Sequence, residues 1–152
     1  MRLRRIVIAV LFAAAIFLLQ GATGGQGKGK EKSADKMYES CAKACLDCAK
    51  ECVTCHDHCK RLSDAGQKEH DPAAKMLADC AEVCTTAAKI VGRKGPLTAQ
   101  VCELCAKACE ACAAECEKFP KDSQMSKCAK ECRSCAKVCR EMLTHLGHAH
   151  GK

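Results

Sequence analysis

Residues 41–59 read CAKACLDCAKECVTCHDHC, and the spacing of the six cysteines in this stretch decides the fold. Successive cysteines are separated by steps of 4, 3, 4, 3 and 4 residues. Because an α-helix has about 3.6 residues per turn, side chains at alternating steps of three and four lie on one face. The stretch therefore predicts a helix with a continuous stripe of thiols, placed like the seam of a helical bundle.

The same spacing recurs in three later segments, and the seam takes in all 17 cysteines of the chain. They are Cys41, Cys45, Cys48, Cys52, Cys55, Cys59, Cys80, Cys84, Cys102, Cys105, Cys109, Cys112, Cys116, Cys128, Cys132, Cys135 and Cys139. Met76, Ala87 and Val91 are predicted to extend the seam in the second segment. Alanine recurs at the position directly after a seam cysteine, and lysine or glutamate at the position after that. The buried, flanking and exposed positions of the predicted helices therefore repeat with the same period.

Residues typical of helix ends divide the chain into four predicted helices. These run from about Ser33 to Asp64, from Pro72 with Asp71 as N-cap to Gly92, from Pro96 to before Pro120, and from Asp122 or Ser123 to about Leu146. A capping side chain or proline at the start and a glycine at the end are the expected signals. Because the connections are short, we predict an all-α fold, an antiparallel up-down-up-down four-helix bundle over residues 33–147 with a cysteine-lined core.

The N-terminal segment has the order of residues typical of an export signal. Arg2, Arg4 and Arg5 precede the apolar run Ile6–Leu19, and small residues follow. The run is 14 residues long, which is short for a membrane span. Residues 1–25 are therefore predicted to be a secretory signal peptide of a periplasmic or otherwise extracytoplasmic protein, with an uncleaved membrane anchor as the alternative.

The remaining composition excludes several functions. Residues 26–32 are rich in glycine and lysine and are predicted to be a flexible linker, and residues 148–152 a tail containing His148 and His150. The net charge is +7, but lysine and glutamate alternate throughout, and the chain has no tryptophan and one tyrosine. This pattern indicates a solvated surface without a nucleic-acid footprint. No nucleophile–base pair or phosphate loop is visible, so we do not expect an enzyme.

Three interpretations of the cysteines differ from metal storage. An exported chain this rich in cysteine first suggests a disulfide-stapled structural protein. However, 17 is an odd number, and Cβ atoms at i and i+4 lie about 5–6 Å apart, against about 3.8 Å in a disulfide. Disulfides between helices stay open as an alternative. So do an apolar core of free thiols and a thiol redox protein or copper oxidase, which needs an exposed cysteine of low pKa.

The seam fits metal binding better. Thiolates are soft ligands that select Cu(I), Zn(II) or iron–sulfur clusters. Two thiolates at i and i+4 can converge on one ion, with a third from a neighbouring helix. Structural Zn(II) sites usually take four thiolates from separated pairs on turns, and iron–sulfur motifs lie in loops that surround the cluster. A continuous helical seam therefore favours many Cu(I) ions, and a zinc or iron–sulfur protein is the alternative.

In these features the chain resembles the bacterial four-helix-bundle copper storage proteins, over about Ser33 to Leu146. Cys-x3-Cys pairs such as Cys41/Cys45 and Cys48/Cys52 carry the resemblance. It implies that the pairs bind multiple Cu(I) ions, and that the protein acts in copper homeostasis by storing copper or detoxifying it. It also implies delivery to cuproenzymes or copper chaperones, and assembly into a homo-oligomer. The second helix departs from the pattern where its seam turns apolar.

Both ends of the predicted bundle carry side chains that bind Cu(I) more weakly than thiolates do. The candidate ligands are His56, His58, Met76 and Met125 at one end and Met37 and Met142 at the other. Such ligands are suited to admitting and releasing ions at a mouth. Because histidine is a common metal ligand, we expect the mouth at the end with His56 and His58. The alternatives are methionines that fill the core and histidines that favour a helix C-terminus.

Overall fold

The computed structural model describes the backbone of residues 26–150 and the side chains of residues 32–147. It contains four α-helices, α1 (Gln26–Asp64), α2 (Asp71–Gly92), α3 (Thr98–Cys116) and α4 (Ser123–His150), with a short 3-10 helix, Lys68–His70, between α1 and α2. The part of the chain that is described contains no β-strand. The predicted all-α four-helix bundle is confirmed. It lies in the compact unit that begins at Asp35, whereas residues 1–34 belong to a separate unit.

Two predictions lie outside the described residues. The segment 1–25, predicted to be a signal peptide, is one of them. The other concerns the side chains of His148 and His150. Among the helices that are described, none combines the length and the apolar character needed to cross a lipid bilayer.

Three helix boundaries differ from the predicted ones. Helix α1 begins at Gln26, so the segment predicted as a linker has helical backbone, because lysine, glutamine and glutamate favour a helix enough to offset its glycines. Helix α4 continues past Gly147 to His150. Asp71 is wrong as the N-cap: His70 occupies that position, and the Asp71 carboxylate accepts a hydrogen bond from the Ser63 hydroxyl at 2.5 Å instead.

Contacts between helices establish the antiparallel order. The end of α1 meets the start of α4, where Cys59 Sγ lies 3.3 Å from Met125 Sδ. The start of α1 meets the end of α4 through Cys45 and Cys139, whose sulfurs are 3.7 Å apart. Helices α2 and α3 run in opposite directions, since Cys80 and Cys84 of α2 contact Cys109 and Cys105 of α3 respectively.

The centre of the bundle is narrow because its side chains are small. Helices α1 and α3 are parallel and diagonally opposed, yet their thiols touch. The sulfur–sulfur distances are 3.9 Å for Cys41–Cys102, 3.8 Å for Cys45–Cys105 and 3.7 Å for Cys48–Cys109. Buried alanines flank the seam, at positions 49, 81, 88, 106, 113, 129 and 136. With no bulk beside the seam, helices approach closely enough for thiols to meet across the axis.

The turn after α1 depends on one glycine. Gly66 has a φ of +100°, a backbone conformation that side chains with a Cβ rarely adopt. Its N–H donates to Ser63 O, and the Gln67 N–H donates to Leu62 O, both at 3.0 Å. These two bonds form a Schellman motif, which satisfies the last carbonyls of α1 and turns the chain toward α2.

Charged side chains link the helices at the surface, as their interspersed pattern predicts. Arg133 of α4 donates two hydrogen bonds to the Glu117 carboxylate, at 3.0 and 2.7 Å. Arg140 donates two hydrogen bonds to a single oxygen, Oε1, of Glu110 in α3, at 2.8 and 2.5 Å. These pairs are exposed, so each contributes little to the stability of the bundle. The stability of the bundle therefore rests on its interior.

The seam of α2 contains Leu77, a residue that the sequence reasoning missed. Counting back from Cys80 in the alternating pattern gives a step of three, to Leu77, which has no exposed surface. Met76 was predicted to hold this place, but it is only partly buried and packs against the side of the core. Leu77 is the largest fully buried side chain of the bundle, so it supplies apolar packing that thiols do not.

Replacing this leucine tests how far the copper-free bundle depends on it. We expect Leu77→Ala to lower the free energy of unfolding of the copper-free protein by about 2–5 kcal/mol, because the substitution leaves a cavity in the core. Urea denaturation followed by circular dichroism measures the change. The matched control is Leu104→Ala, at a side chain that is 55% exposed, where the expected loss is below about 0.5 kcal/mol. Equal losses for the two variants would contradict this account of the core.

Candidate metal centre

The thiols form one continuous column along the bundle axis. All 17 cysteines are free and have no exposed surface. Sulfur–sulfur contacts of 3.4 to 4.0 Å involve 13 of them, the shortest being Cys84–Cys109 and the longest including Cys105–Cys135. These distances are those of thiols in van der Waals contact or weak hydrogen bonding. A small cation can therefore enter the column and be within reach of several sulfurs at once.

The column contains groups of four sulfurs drawn from several helices. In each group all four sulfurs lie within 4.8 Å of one another, and every member is buried. They include Cys45/Cys105/Cys135/Cys139, Cys48/Cys80/Cys84/Cys109, Cys48/Cys52/Cys80/Cys132, Cys52/Cys112/Cys128/Cys132 and Cys84/Cys105/Cys109/Cys135. Several cysteines belong to two groups, so a thiolate can be shared between adjacent ions. The groups overlap along the axis, so sulfur ligands follow one another without interruption through the middle turns of the bundle.

Burial and mutual hydrogen bonding perturb the acidity of these thiols. Hydrogen bonding with Cys105 and with three other thiols, reinforced by burial, raises the pKa of Cys109. Hydrogen bonding with Cys112 and its neighbours, again reinforced by burial, raises the pKa of Cys132. The pKa of Cys80 is lowered by hydrogen bonding with Cys109, against the effect of burial. Because buried thiolates repel one another, the column can ionise fully only when cations enter it.

Two histidines at the end of α1 already have protein partners. His56 Nδ1 lies 2.9 Å from the backbone oxygen of Ala74 in α2, and His58 Nε2 lies 2.7 Å from Asp122 Oδ2. Both rings are half-buried. Each therefore holds α1 against a neighbouring helix while lying one residue from a seam cysteine. The partner of His58 could not be predicted from the sequence, because Asp122 is 64 positions away along the chain.

Met125 is the methionine that touches thiols most closely at the same end. Its sulfur lies 3.4 Å from Cys55 Sγ and 3.3 Å from Cys59 Sγ, and the side chain is fully buried. The column therefore ends here in a group of two thiols and one thioether. Met76, from the same predicted set, packs at the edge of the core.

The opposite end of the column is closed by apolar side chains. Val91 and Met142 have no exposed surface, and Thr98 is 3% exposed. Met37 packs against the same cluster and is partly buried. The last pair of thiols, Cys41 and Cys102, lies just inside this layer. The methionines predicted for the two ends thus lie in or against the bundle core, and among the described side chains it is Met125 whose sulfur lies within 3.4 Å of thiols.

Asp122 connects the fold to this end of the column. Its Oδ1 accepts hydrogen bonds from the Gln124 and Met125 N–H groups at 2.9 and 3.1 Å, so it is the N-cap of α4. Burial raises the pKa of Asp122, but the hydrogen bonds from His58 and from these backbone groups outweigh it and leave the pKa lowered. The carboxylate thus fixes both the start of α4 and the orientation of the His58 ring.

The lowered pKa of Asp122 predicts an acid-sensitive contribution to stability. We expect Asp122→Ala to lower the free energy of unfolding near neutral pH by about 1–2 kcal/mol, the usual effect of losing an N-cap. Because the folded pKa is lowered, this contribution is present above the unfolded value of about 3.9 and is lost as pH falls through the folded value. Urea denaturation at several pH values measures the difference. The control is Asp57→Ala, at an exposed position of α1; a deficit in the Asp122 variant that did not narrow in acid would contradict the assignment.

Comparison with known proteins places this geometry in context. Residues 34–144 match the model of a family described as copper storage protein. The Cu(I)-bound copper storage protein BsCsp3 is 36% identical with a TM-score of 0.65, and the match covers 70% of this chain and 98% of that one. A cytosolic copper storage protein from Streptomyces lividans, loaded with five coppers, is 31% identical with a TM-score of 0.69, covering 74% and 97%.

A copper-free structure is similar as well. Apo copper storage protein 3 from Bacillus subtilis is 36% identical with a TM-score of 0.59, and the match covers 69% of this chain and 97% of that one. A search of curated protein sequences gave no match.

Proposed function

Because this chain belongs to the copper storage protein family, we propose that the 17 thiols of its central column are the ligands that hold its cargo of Cu(I). Storage or sequestration of copper is the function of the chain, and the column is the part of the molecule that fits it. The observation that carries the assignment is the continuity of the sulfur contacts, at 3.4 to 4.0 Å along the axis. Cysteines such as Cys48 and Cys109 belong to two groups of four sulfurs, so their thiolates can bridge two ions.

The chemistry of loading follows from the ligand type. Cu(I) is a soft ion, and thiolates are the side chains that select it. Each thiol that binds an ion loses its proton. Each Cu(I) offsets the charge of one thiolate, so sharing of thiolates between ions keeps the excess negative charge of the interior small. An ion held by two or three sulfurs needs no large movement of the helices, because the sulfurs are already in contact.

Burial supports storage over turnover. The thiols have no exposed surface, so substrates other than small ions have no path to them. An attacking thiolate in catalysis sits instead in an exposed, electropositive environment. The role that this geometry favours is therefore a passive, high-capacity reservoir.

The end of the bundle near His56 and His58 is the proposed mouth. There the column ends in Met125, a thioether that binds Cu(I) more weakly than a thiolate and therefore suits transfer. The histidines and Met76 line the same end and are partly exposed. At the far end Val91 and Met142 are fully buried and close the column; Met37 belongs to that apolar layer.

Export and partners complete the proposal. The order of residues in the segment 1–25 supports a secretory signal peptide and an extracytoplasmic location. Cuproenzymes or copper chaperones that accept Cu(I), and assembly of the chain into a homo-oligomer, follow from the family resemblance. N-terminal sequencing of the protein from the periplasmic fraction tests the first point: a chain beginning near residue 26 supports export, and retention of residues 1–25 contradicts cleavage.

A competition titration tests the assignment of the ligands. The reduced, copper-free protein is titrated with Cu(I) in the presence of a chromophoric Cu(I) chelator. We expect roughly ten or more equivalents to be withheld from the chelator, because thiolates can be shared between ions. Saturation at four or fewer equivalents would overturn the column as the store. A variant with serine at Cys105, Cys109, Cys112 and Cys116 is expected to lose a large fraction of this capacity, and a variant with four exposed lysines replaced serves as its control.

A further inference from the structure

We infer that the copper-free column also contains three separate tetrathiolate sites for a divalent closed-shell ion, Zn(II) or Cd(II). The sites are Cys45/Cys105/Cys135/Cys139, Cys48/Cys80/Cys84/Cys109 and Cys52/Cys112/Cys128/Cys132. This inference concerns a second class of cargo and does not depend on the capacity for copper.

The distances between sulfurs are those that a tetrahedral ion requires. A Zn–S bond of about 2.3 Å in a regular tetrahedron places the sulfurs about 3.8 Å apart. In the first site the distances from Cys45 are 3.8 Å to Cys105, 3.7 Å to Cys139 and 4.0 Å to Cys135. The thiols are therefore close to tetrahedral spacing before any ion arrives.

The second site shows the same agreement. Cys109 lies 3.7 Å from Cys48, 3.8 Å from Cys80 and 3.4 Å from Cys84, and Cys80 lies 3.9 Å from Cys84. Only small adjustments of side chains are needed to centre an ion among these four sulfurs. In the third site Cys132 lies 3.7 Å from Cys52 and 4.0 Å from Cys128.

The number of sites follows from counting thiols that are not shared. The three groups have no cysteine in common, whereas Cys48/Cys52/Cys80/Cys132 and Cys84/Cys105/Cys109/Cys135 each share cysteines with two of them. They use twelve of the 17 cysteines. The five that remain are split between the two ends, Cys41 and Cys102 at one and Cys55, Cys59 and Cys116 at the other, so they cannot form a fourth group of four.

Each site draws its ligands from three helices. The first and third take ligands from α1, α3 and α4, and the second from α1, α2 and α3. Binding is therefore a reaction of the folded bundle: one M²⁺ replaces four thiol protons and leaves a site with a net charge of 2−. A buried net charge of 2− is energetically unfavourable. Binding of Cu(I) leaves less net negative charge in the interior. Cu(I) is accordingly expected to displace the divalent ion without any redox step.

Titration of the reduced, copper-free chain with Co(II) tests the proposal, because the visible absorption of Co(II) reports tetrahedral thiolate coordination. We expect the tetrahedral spectrum to saturate at about three equivalents, to be bleached by Zn(II), which favours four thiolates, and to disappear on addition of Cu(I). A pH indicator in weak buffer is expected to record about four protons released per divalent ion. Saturation at another number, or a spectrum of octahedral Co(II), would overturn the inference.

Paired substitutions locate the sites. Cys128→Ser with Cys132→Ser removes ligands from the third site only, and Cys80→Ser with Cys84→Ser from the second only. Each double variant is expected to saturate at two-thirds of the parent's tetrahedral Co(II) signal. The matched control is Cys41→Ser with Cys102→Ser, two contacting buried thiols outside all three sites, which is expected to keep the full signal. Circular dichroism checks that each variant is folded; a folded double variant with the parent's full signal would overturn the assignment of that site.

Discussion

The copper-loaded protein is expected to unfold at a temperature on the order of 20 °C or more above that of the copper-free protein, while its helix content hardly changes. Ligands that bind the folded state alone stabilise it by mass action, by about 4 kcal/mol for one site at a thousand times its dissociation constant. Each kcal/mol raises the midpoint by roughly 2–4 °C in a chain of this size. Because several ions bind within one column, their contributions accumulate.

The helical state of the empty chain is the more demanding half of this prediction. A seam of thiols buries less apolar area than a seam of leucines, so the copper-free bundle depends on close helix approach, on Leu77 and on its caps. The structure supplies these: flanking alanines are buried, and Asp122 caps α4. We therefore expect a cooperative thermal transition without copper. Circular dichroism during a Cu(I) titration decides the matter, and a copper-free chain that is disordered until metal is added would show that the ions are structural cross-links.

The second large effect is an opposite response of the empty and the loaded protein to pH. Burial raises the pKa of every column thiol whose shift is resolved, and hydrogen bonding between thiols leaves it raised for nine, such as Cys109 and Cys132, but lowers it for seven, such as Cys80; we expect the nine raised values to dominate. In the unfolded chain a thiol ionises near its ordinary pKa of about 8.5. Where the folded pKa is raised, the folded state holds more protons than the unfolded chain. This contribution to the stability of the empty bundle is complete below the unfolded pKa of about 8.5 and is lost as pH rises through the folded pKa.

The apparent affinity for Cu(I) depends on pH in the opposite sense, increasing as pH rises. Because each ion displaces protons, its apparent affinity is expected to weaken by about tenfold per pH unit for each proton released, between about pH 8 and pH 5. Chelator competition at several pH values measures the slope, and melting of the empty protein above about pH 8.5 measures the fall in stability. Flat affinity across this range would contradict thiolate coordination. A copper-free protein that gained stability in alkali would contradict the raised thiol pKa values.

The period of the cysteines was sufficient to predict the fold class and the buried column of thiols, because alternating steps of three and four residues place side chains on one face of a helix. The alanines beside the seam fixed the register, and the structure places seven of them among the buried residues. The same rule, applied strictly, identifies Leu77 in place of Met76. The fold could thus be predicted from local pattern alone.

Contacts between distant segments could not be predicted in this way. The pairing of His58 with Asp122 joins residues of α1 and the start of α4, and nothing in the local sequence of either specifies the other. The three separate groups of four sulfurs depend on the axial offset between helices, which side-chain packing determines and periodicity does not. The boundary at Asp71 differed by one position, as helix ends often do, and α1 begins seven residues before Ser33 because lysine, glutamine and glutamate favour a helix.

The contact of α1 and α3 across the bundle axis limits how the number of thiol ligands in such a bundle can increase. Since diagonal thiols already touch, at 3.7 to 3.9 Å, the cross-section has no spare width and cannot be enlarged without separating the ligands. The number of ligands can increase only if the helices become longer. Adding one heptad to every helix lengthens the bundle by about 10 Å and offers up to about eight more inward positions. Capacity in this architecture therefore scales linearly with helix length, so relatives of greater or smaller capacity are expected to differ in the number of heptads while sharing one diameter.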